Sequence, residues 1–167
     1  MKDTLRLILF LECNLKCSYC CNENINISKH FVKKKFEDID FTKYKNVCIT
    51  GGEPFLRKDI LYSVLNKIPT DKKIYIYTNG MLINDEDLRI LIKYPNIDCF
   101  NIGLHFENQL NKISTIEYCL PVRWMIEESK LEKFHKQYPS RLVIDRIKTF
   151  KIDDCEMLNE DWILLES

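Results

Sequence analysis

The sequence predicts an α/β fold built on a parallel sheet of about six strands. Short runs rich in β-branched and other apolar residues, at residues 5–11, 47–50, 74–78, 98–104, 122–126 and 141–147, alternate with segments of helical period. Strands and helices that alternate at this spacing form parallel strands joined by right-handed crossovers. The strand runs are nearly continuous in apolar character, which agrees with burial on both faces of the sheet.

The elements follow in order. Residues 5–11 form the first strand and end at a cysteine-rich loop. Residues 21–28 are polar and read as loop. Residues 29–45 hold no single period; Phe31, Val32, Phe36, Ile39 and Phe41 leave room for a short helix. The second strand, 47–50, ends at Gly51-Gly52. Ile60, Leu61, Val64, Leu65 and Ile68 recur at helical spacing, and Pro69 closes that helix. The third strand, 74–78, turns at Asn79-Gly80. Asn84 caps the next helix with Asp87 three residues on, and Leu88, Leu91 and Ile92 form its inner stripe. The fourth strand is 98–104, and a short helix is expected within 109–118. The fifth strand, 122–126, leads to Ser129 and Glu132, spaced as a capping box for a helix with Leu131, Phe134 and Tyr138 inside. A sixth strand is expected at 141–147. From Lys148 on no period is legible; Trp162, Ile163 and Leu164 are expected to pack into the core.

Length and composition limit the classes available. The 167 residues suit one domain, 1–167, and 46% hydrophobic with 30% charged residues is an ordinary globular balance. The net charge is zero, so no global field favours nucleic acid or an anionic membrane, and Lys33-Lys34-Lys35 reads as a solvated face. Residues 5–11 are interrupted by Arg6 and too short to span a bilayer or to read as a signal peptide. A cytoplasmic protein is expected, and there eight cysteines are poorly explained by disulfides. Cys48 and Cys99 lie in strand-like runs and read as core.

Cys13, Cys17 and Cys20 stand within eight residues on the loop after the first strand. Thiolates are soft ligands suited to zinc or iron–sulfur clusters. A closed zinc site takes four ligands, and the nearest further candidate is His30. A four-iron cluster held by three thiolates, with one iron open, fits better. Cys21 adjoins Cys20, which already serves the site, and is not expected as a further ligand. After the second strand, Gly51-Gly52-Glu53-Pro54 offers free backbone groups, close approach and one carboxylate. It suits an ammonium group and serves equally as a plain strand-to-helix turn. In a parallel α/β fold the C-terminal ends of the strands form one rim, so the loops at 13–20, 51–54 and 78–80 should meet there.

These three motifs in this order resemble the radical S-adenosylmethionine (SAM) superfamily. Cys13-x3-Cys17-x2-Cys20, with Tyr19 before the last cysteine, is similar to its cluster motif. Thr50-Gly51-Gly52-Glu53-Pro54 and Thr78-Asn79-Gly80 are similar to its second and third elements. The resemblance covers residues 5–105 and thereafter only the strand–helix alternation. It implies a partial, open βα barrel, and a [4Fe–4S] cluster held by Cys13, Cys17 and Cys20 with SAM chelating the fourth iron. One electron passed to SAM would yield a 5′-deoxyadenosyl radical that abstracts hydrogen from substrate. By the same resemblance Gly51, Gly52, Glu53 and Pro54 hold the methionyl amine, Tyr19 lies near the adenine, and Thr78 and Asn79 line the cofactor site. A reductant such as flavodoxin or ferredoxin is implied as partner.

The sequence departs from the family where Gly103-Leu104-His105 stands in place of a frequent Ser-Leu-Asp. His105 is then a substrate-side candidate or a surface residue. Arg123, in the fifth strand, either faces an anionic ligand or joins strand to helix in a salt bridge. The chain has no C-terminal cysteine cluster of the kind used for auxiliary centres. The Gly-Gly-Glu-Pro-Phe-Leu-Arg context favours a small-molecule or nucleotide-type substrate. The alternatives are an activase that acts on a glycyl radical enzyme and a non-catalytic metal-binding module.

Overall fold

All eight strands of the described residues run parallel in one sheet. The computed structural model describes residues 2–17, 20–113, 116–142, 146–150 and 160–166. The strands are β1 (Thr4–Ile8), β2 (Val32–Lys34), β3 (Asn46–Thr50), β4 (Lys73–Thr78), β5 (Ile97–Leu104), β6 (Val122–Glu127), β7 (Ile147–Phe150) and β8 (Glu160–Leu165). Their order across the sheet is β2-β8-β1-β3-β4-β5-β6-β7, with every neighbouring pair parallel. β2 and β7 are edges, so the barrel is open, as expected.

The two faces of the sheet differ. Leu5 and Leu7, Val47 and Ile49, Ile74 and Ile76, Phe100 and Ile102, and Trp124 and Ile126 join one large core. Helices α2 (Lys58–Lys67), α3 (Asp85–Leu91) and α4 (Leu131–Gln137) close it with Leu61, Val64 and Leu65, Leu88 and Leu91, and Phe134. Each such fully buried side chain contributes about 1.5–3 kcal/mol. The alternate residues of the same strands, among them Arg6, Tyr77, Asn101 and Met125, line a cavity instead. The expectation of two apolar faces is therefore corrected. Tyrosine counts as strand-forming in a sequence, yet β4 places its isoleucines outward and its tyrosines inward, with a buried/half-buried alternation. A small second cluster of Ile8, Ile27 and Trp162, with Phe31 and Leu164 against it, lies under the short helix α1 (Ile25–Ser28).

The α3 cap forms as expected. Asn84 Oδ1 accepts from Asp87 N at 3.0 Å, and Asp87 Oδ2 accepts from Asn84 N at 2.8 Å. Asp87 is buried and also receives Lys58 Nζ and Tyr62 OH of α2, each at 2.7 Å, which joins the two helices.

Other expectations are corrected. Residues 21–28 contain α1, capped by Asn24, whose side chain accepts from Asn26 N. Residues 29–45 hold the three-residue strand β2 and two 3-10 turns, elements too short to carry a period. Residues 109–118 contain two 3-10 turns rather than one helix. Ser129 does not cap α4: its hydroxyl donates to Glu127 Oε1 at 2.5 Å, and the helix is entered through the 3-10 turn Glu128–Lys130. The sixth expected strand begins only at Ile147, and residues 143–145 of that expectation lie outside the described residues. The tail supplies β8, which inserts between β2 and β1, so Trp162 and Ile163 are buried as expected.

Candidate functional site

A cavity of about 560 Å³ opens along the inner face of the sheet. Cys13, Cys17 and Cys20 line it, with Gly51, Gly52 and Glu53, Thr78 and Asn79, and Gly103 and His105. The loops after β1, β3 and β4 and the end of β5 thus meet at one rim. Pro54 is buried at the first position of a 3-10 turn, Pro54–Arg57, and does not line the cavity. Arg123 does not line it either. It is in register with Asn101 and acts electrostatically on Tyr75 and Cys99, toward the strand starts. Tyr19 lies outside the described residues.

Close approach of backbones fixes the glycine loop. Gly52 N donates to Phe10 O at 2.7 Å and Glu53 N to Glu12 O at 2.9 Å. A Cβ on Gly52 would stand 1.7 Å from Glu12 O, so only glycine fits. Gly51 has φ +128°, and a Cβ there would stand 2.3 Å from Phe10 O. The loop after β3 is thereby stitched to the strand-end chain that carries Cys13. Asn22, just past the third cysteine, donates from Nδ2 to Gly51 O. Asn79 Nδ2 donates to Asn14 Oδ1 at 2.8 Å, which ties the third loop to the first.

Glu53 turns its carboxylate inward. Its side chain accepts from Thr78 Oγ1 at 2.6 Å, from Asn79 N at 2.8 Å and from Phe55 N at 3.1 Å. Burial pushes this carboxyl above the usual glutamate range, and the three donors oppose the rise. Gln109 braces the same junction from the other side. It is fully buried and donates from Nε2 to Asn79 O at 2.9 Å and to Gly103 O at 2.7 Å.

Cys13, Cys17 and Cys20 are free thiols, whereas Cys21 is disulfide-bonded and contributes no thiolate. Burial raises the Cys13 and Cys17 thiols above their ordinary value. Cys20 N donates to Cys17 O at 3.1 Å. Among the described residues no three His, Cys, Asp or Glu side chains converge tightly enough to hold a single metal ion. All three thiols line the one cavity, and thiolates are the soft donors that could hold an iron–sulfur cluster there. Cys48 and Cys99 are buried, as expected of core residues.

Sequence reasoning missed the inner floor. Arg6 binds Glu160 in a two-pronged ion pair, with Nε to Oε2 at 2.6 Å and Nη2 to Oε1 at 3.1 Å. Its guanidinium lies 4.8 Å from the ring centres of both Tyr77 and Trp162. The signal was an arginine interrupting an apolar strand. Asn101, a lone amide in the run 98–104, is 1% exposed, lines the cavity, and among the described residues neither its nitrogen nor its oxygen has a hydrogen-bond partner. Met125, Lys148, Thr149 and Phe150 complete the wall on β6 and β7.

The family model described as Radical SAM superfamily matches residues 7–146. A GTP 3′,8-cyclase of Clostridium perfringens is 31% identical over 156 residues, covering 80% of this chain and 48% of that protein. A probable GTP 3′,8-cyclase of Archaeoglobus fulgidus is 37% identical over 95 residues, covering 51% of this chain and 31% of that protein. The chain therefore spans about half the length, or less, of these curated relatives. Among solved structures, Streptococcus suis SuiB bound to S-adenosylmethionine aligns with a TM-score of 0.57 at 18% identity, covering 99% of this chain and 48% of that one. Native anSMEcpe with bound AdoMet aligns with a TM-score of 0.57 at 14% identity, covering 90% of this chain and 52% of that one. At those identities the likeness is one of fold.

Proposed function

The chain belongs to the radical SAM superfamily, whose members use a [4Fe–4S] cluster and SAM, and from that premise we propose that it is a radical SAM enzyme acting on a small-molecule or nucleotide-type substrate. One observation carries the reading: three free thiols share a single cavity with the glycine loop and with Thr78 and Asn79. In this proposal Cys13, Cys17 and Cys20 hold the cluster. With only three protein thiolates, such a group would keep a place for SAM beside the glycine loop. Such a group would supply the one-electron reduction by which SAM is cleaved and hydrogen abstraction from substrate begins, with Cys13, Cys17 and Cys20 holding it at the cavity wall.

The residues of the chain position and enclose. Gly51 and Gly52 let the loop pack against the backbone of residues 9–12 at the cavity rim, where a Cβ would clash. Glu53 acts on the cofactor site chiefly by holding Thr78 and Asn79 in place. Binding energy is thereby directed to orientation. Tyr77 and Trp162, flanking Arg6, form the floor of the cavity.

The unpartnered Asn101 amide supports a polar substrate. A buried amide costs stability unless something pairs with it, and a donor–acceptor edge such as a nucleobase or carboxamide would do so. Lys148 on the facing wall suits an anionic group. The two relatives named as GTP 3′,8-cyclases make GTP the first probe.

The test is SAM turnover by anaerobically reconstituted, dithionite-reduced protein with and without GTP, beside Asn101→Leu. Stimulation by GTP that the variant loses supports a nucleotide-type substrate. Turnover indifferent to GTP moves the search to other polar small molecules. No SAM turnover under any condition contradicts the enzyme reading.

A further inference from the structure

His105 leaves the end of β5 with its ring folded back into the cavity, and several contacts fix where it sits. Its backbone N–H donates to Gln109 Oε1 at 2.7 Å, and Gln109 is itself anchored to Gly103 O and Asn79 O. The ring lies over Gly103: a Cβ at position 103 would come within 2.5 Å of His105 Nε2 and 2.9 Å of Cε1. With Nε2 turned toward Gly103, Nδ1 faces Cys17 and stands 3.6 Å from its Sγ. Lys130 lies on the same side, its Nζ 3.5 Å from the His105 carbonyl oxygen.

We infer that His105 is a positioning residue for the iron–sulfur centre, donating a hydrogen bond from Nδ1 to the Cys17 thiolate, with Gly103 as the space that admits the ring. The inference rests on the reading of Cys13, Cys17 and Cys20 as cluster ligands. A metal-bound thiolate only accepts, so the contact selects the tautomer that carries its proton on Nδ1. Hydrogen bonds to cluster sulfurs set reduction potential. A donor to Cys17 draws off negative charge and favours the reduced, more negative cluster. It makes the electron easier to load and holds the Cys17 corner in one orientation.

The experiment is an EPR-monitored redox titration of the reconstituted protein without SAM, on wild type, His105→Ala, His105→Gln and Gly103→Ser. His105→Ala lowers the midpoint, so that at a fixed potential the ratio of reduced to oxidised cluster falls about tenfold, roughly 59 mV for a one-electron couple. Gly103→Ser keeps the histidine but evicts its ring, and lowers the midpoint in the same direction. His105→Gln, whose amide can donate, recovers part of the shift. In the reduced wild type an exchangeable proton couples to the cluster, and that coupling disappears in His105→Ala. Intact clusters with one common midpoint in wild type, His105→Ala and Gly103→Ser overturn the inference while leaving the cysteine assignment standing. Failure of wild type to assemble a [4Fe–4S] cluster overturns the cysteine assignment and this inference together.

Discussion

The Thr78 hydroxyl donates to the Glu53 carboxylate across 2.6 Å in the buried junction between the loops after β3 and β4. Glu53 also accepts from Asn79 N and Phe55 N, so one side chain satisfies three donors. Glu53→Ala strands all three and should cost about 3 kcal/mol. Urea unfolding of the metal-free protein measures it. Glu53→Gln, which still accepts, should cost about half as much; equal losses would show that the carboxyl oxygens are not what these donors need.

The same carboxyl gives a pH signature. Burial raises it above the usual glutamate range. The folded chain then binds this proton more tightly than the unfolded chain. Its stabilising contribution is present below the unfolded value and is lost as pH rises through the higher folded value. The stability of wild type minus that of Glu53→Gln should therefore fall as pH is raised above about 4.5, the ordinary glutamate value. A difference that rises over that window would reverse the sign of the account.

Gly52 admits no side chain, because a Cβ would meet Glu12 O at 1.7 Å. Gly52→Ala must push the β3 loop off the cysteine-bearing chain and break the Gly52 N to Phe10 O bond. The expected loss is about 3 kcal/mol, together with weaker SAM binding by calorimetry. Wild-type SAM affinity in this variant would mean that the stitched backbone does not shape the cofactor site.

Asn101 keeps a buried amide without a partner among the described residues, which is a stability cost. Asn101→Leu removes that cost and should leave the metal-free protein as stable as wild type or about 1 kcal/mol more so. Destabilisation by more than about 2 kcal/mol would show that the amide serves the fold rather than a ligand.

The position of β8 between β1 and β2 makes Trp162 a structural anchor. It stacks on Phe31 with ring centres 5.5 Å apart and covers Arg6. Trp162→Ala should cost about 3 kcal/mol and speed amide exchange in β2, whose sole strand partner among the described residues is β8. Unchanged exchange at Val32–Lys34 would contradict that dependence.

How much of this was legible in the sequence follows from where the information lies. The loops that meet at the rim were readable because cysteine spacing and paired glycines are local, and parallel topology brings strand ends together. The Asn84–Asp87 cap was readable for the same reason. β2 and β8 were not, because a three-residue edge strand and a strand far along the tail gain their identity from each other and from β1. The polar floor was hidden too. Arg6 looked like a break in a strand, and only its pairing with Glu160, 154 residues away, makes it part of the inner wall. Ser129 and Glu132 had cap spacing, but Ser129 spends its hydroxyl on Glu127. Gln109 sat in a stretch without period and gains its role through contacts with Asn79 and Gly103.

The measurement that tests the central claim most directly is 5′-deoxyadenosine formation from SAM by the reconstituted, reduced protein under anaerobic conditions, beside Cys17→Ala. The account predicts product from wild type and none above background from the variant. A wild-type protein that carries a complete [4Fe–4S] cluster, binds SAM and yet forms no 5′-deoxyadenosine, with or without GTP, would contradict it.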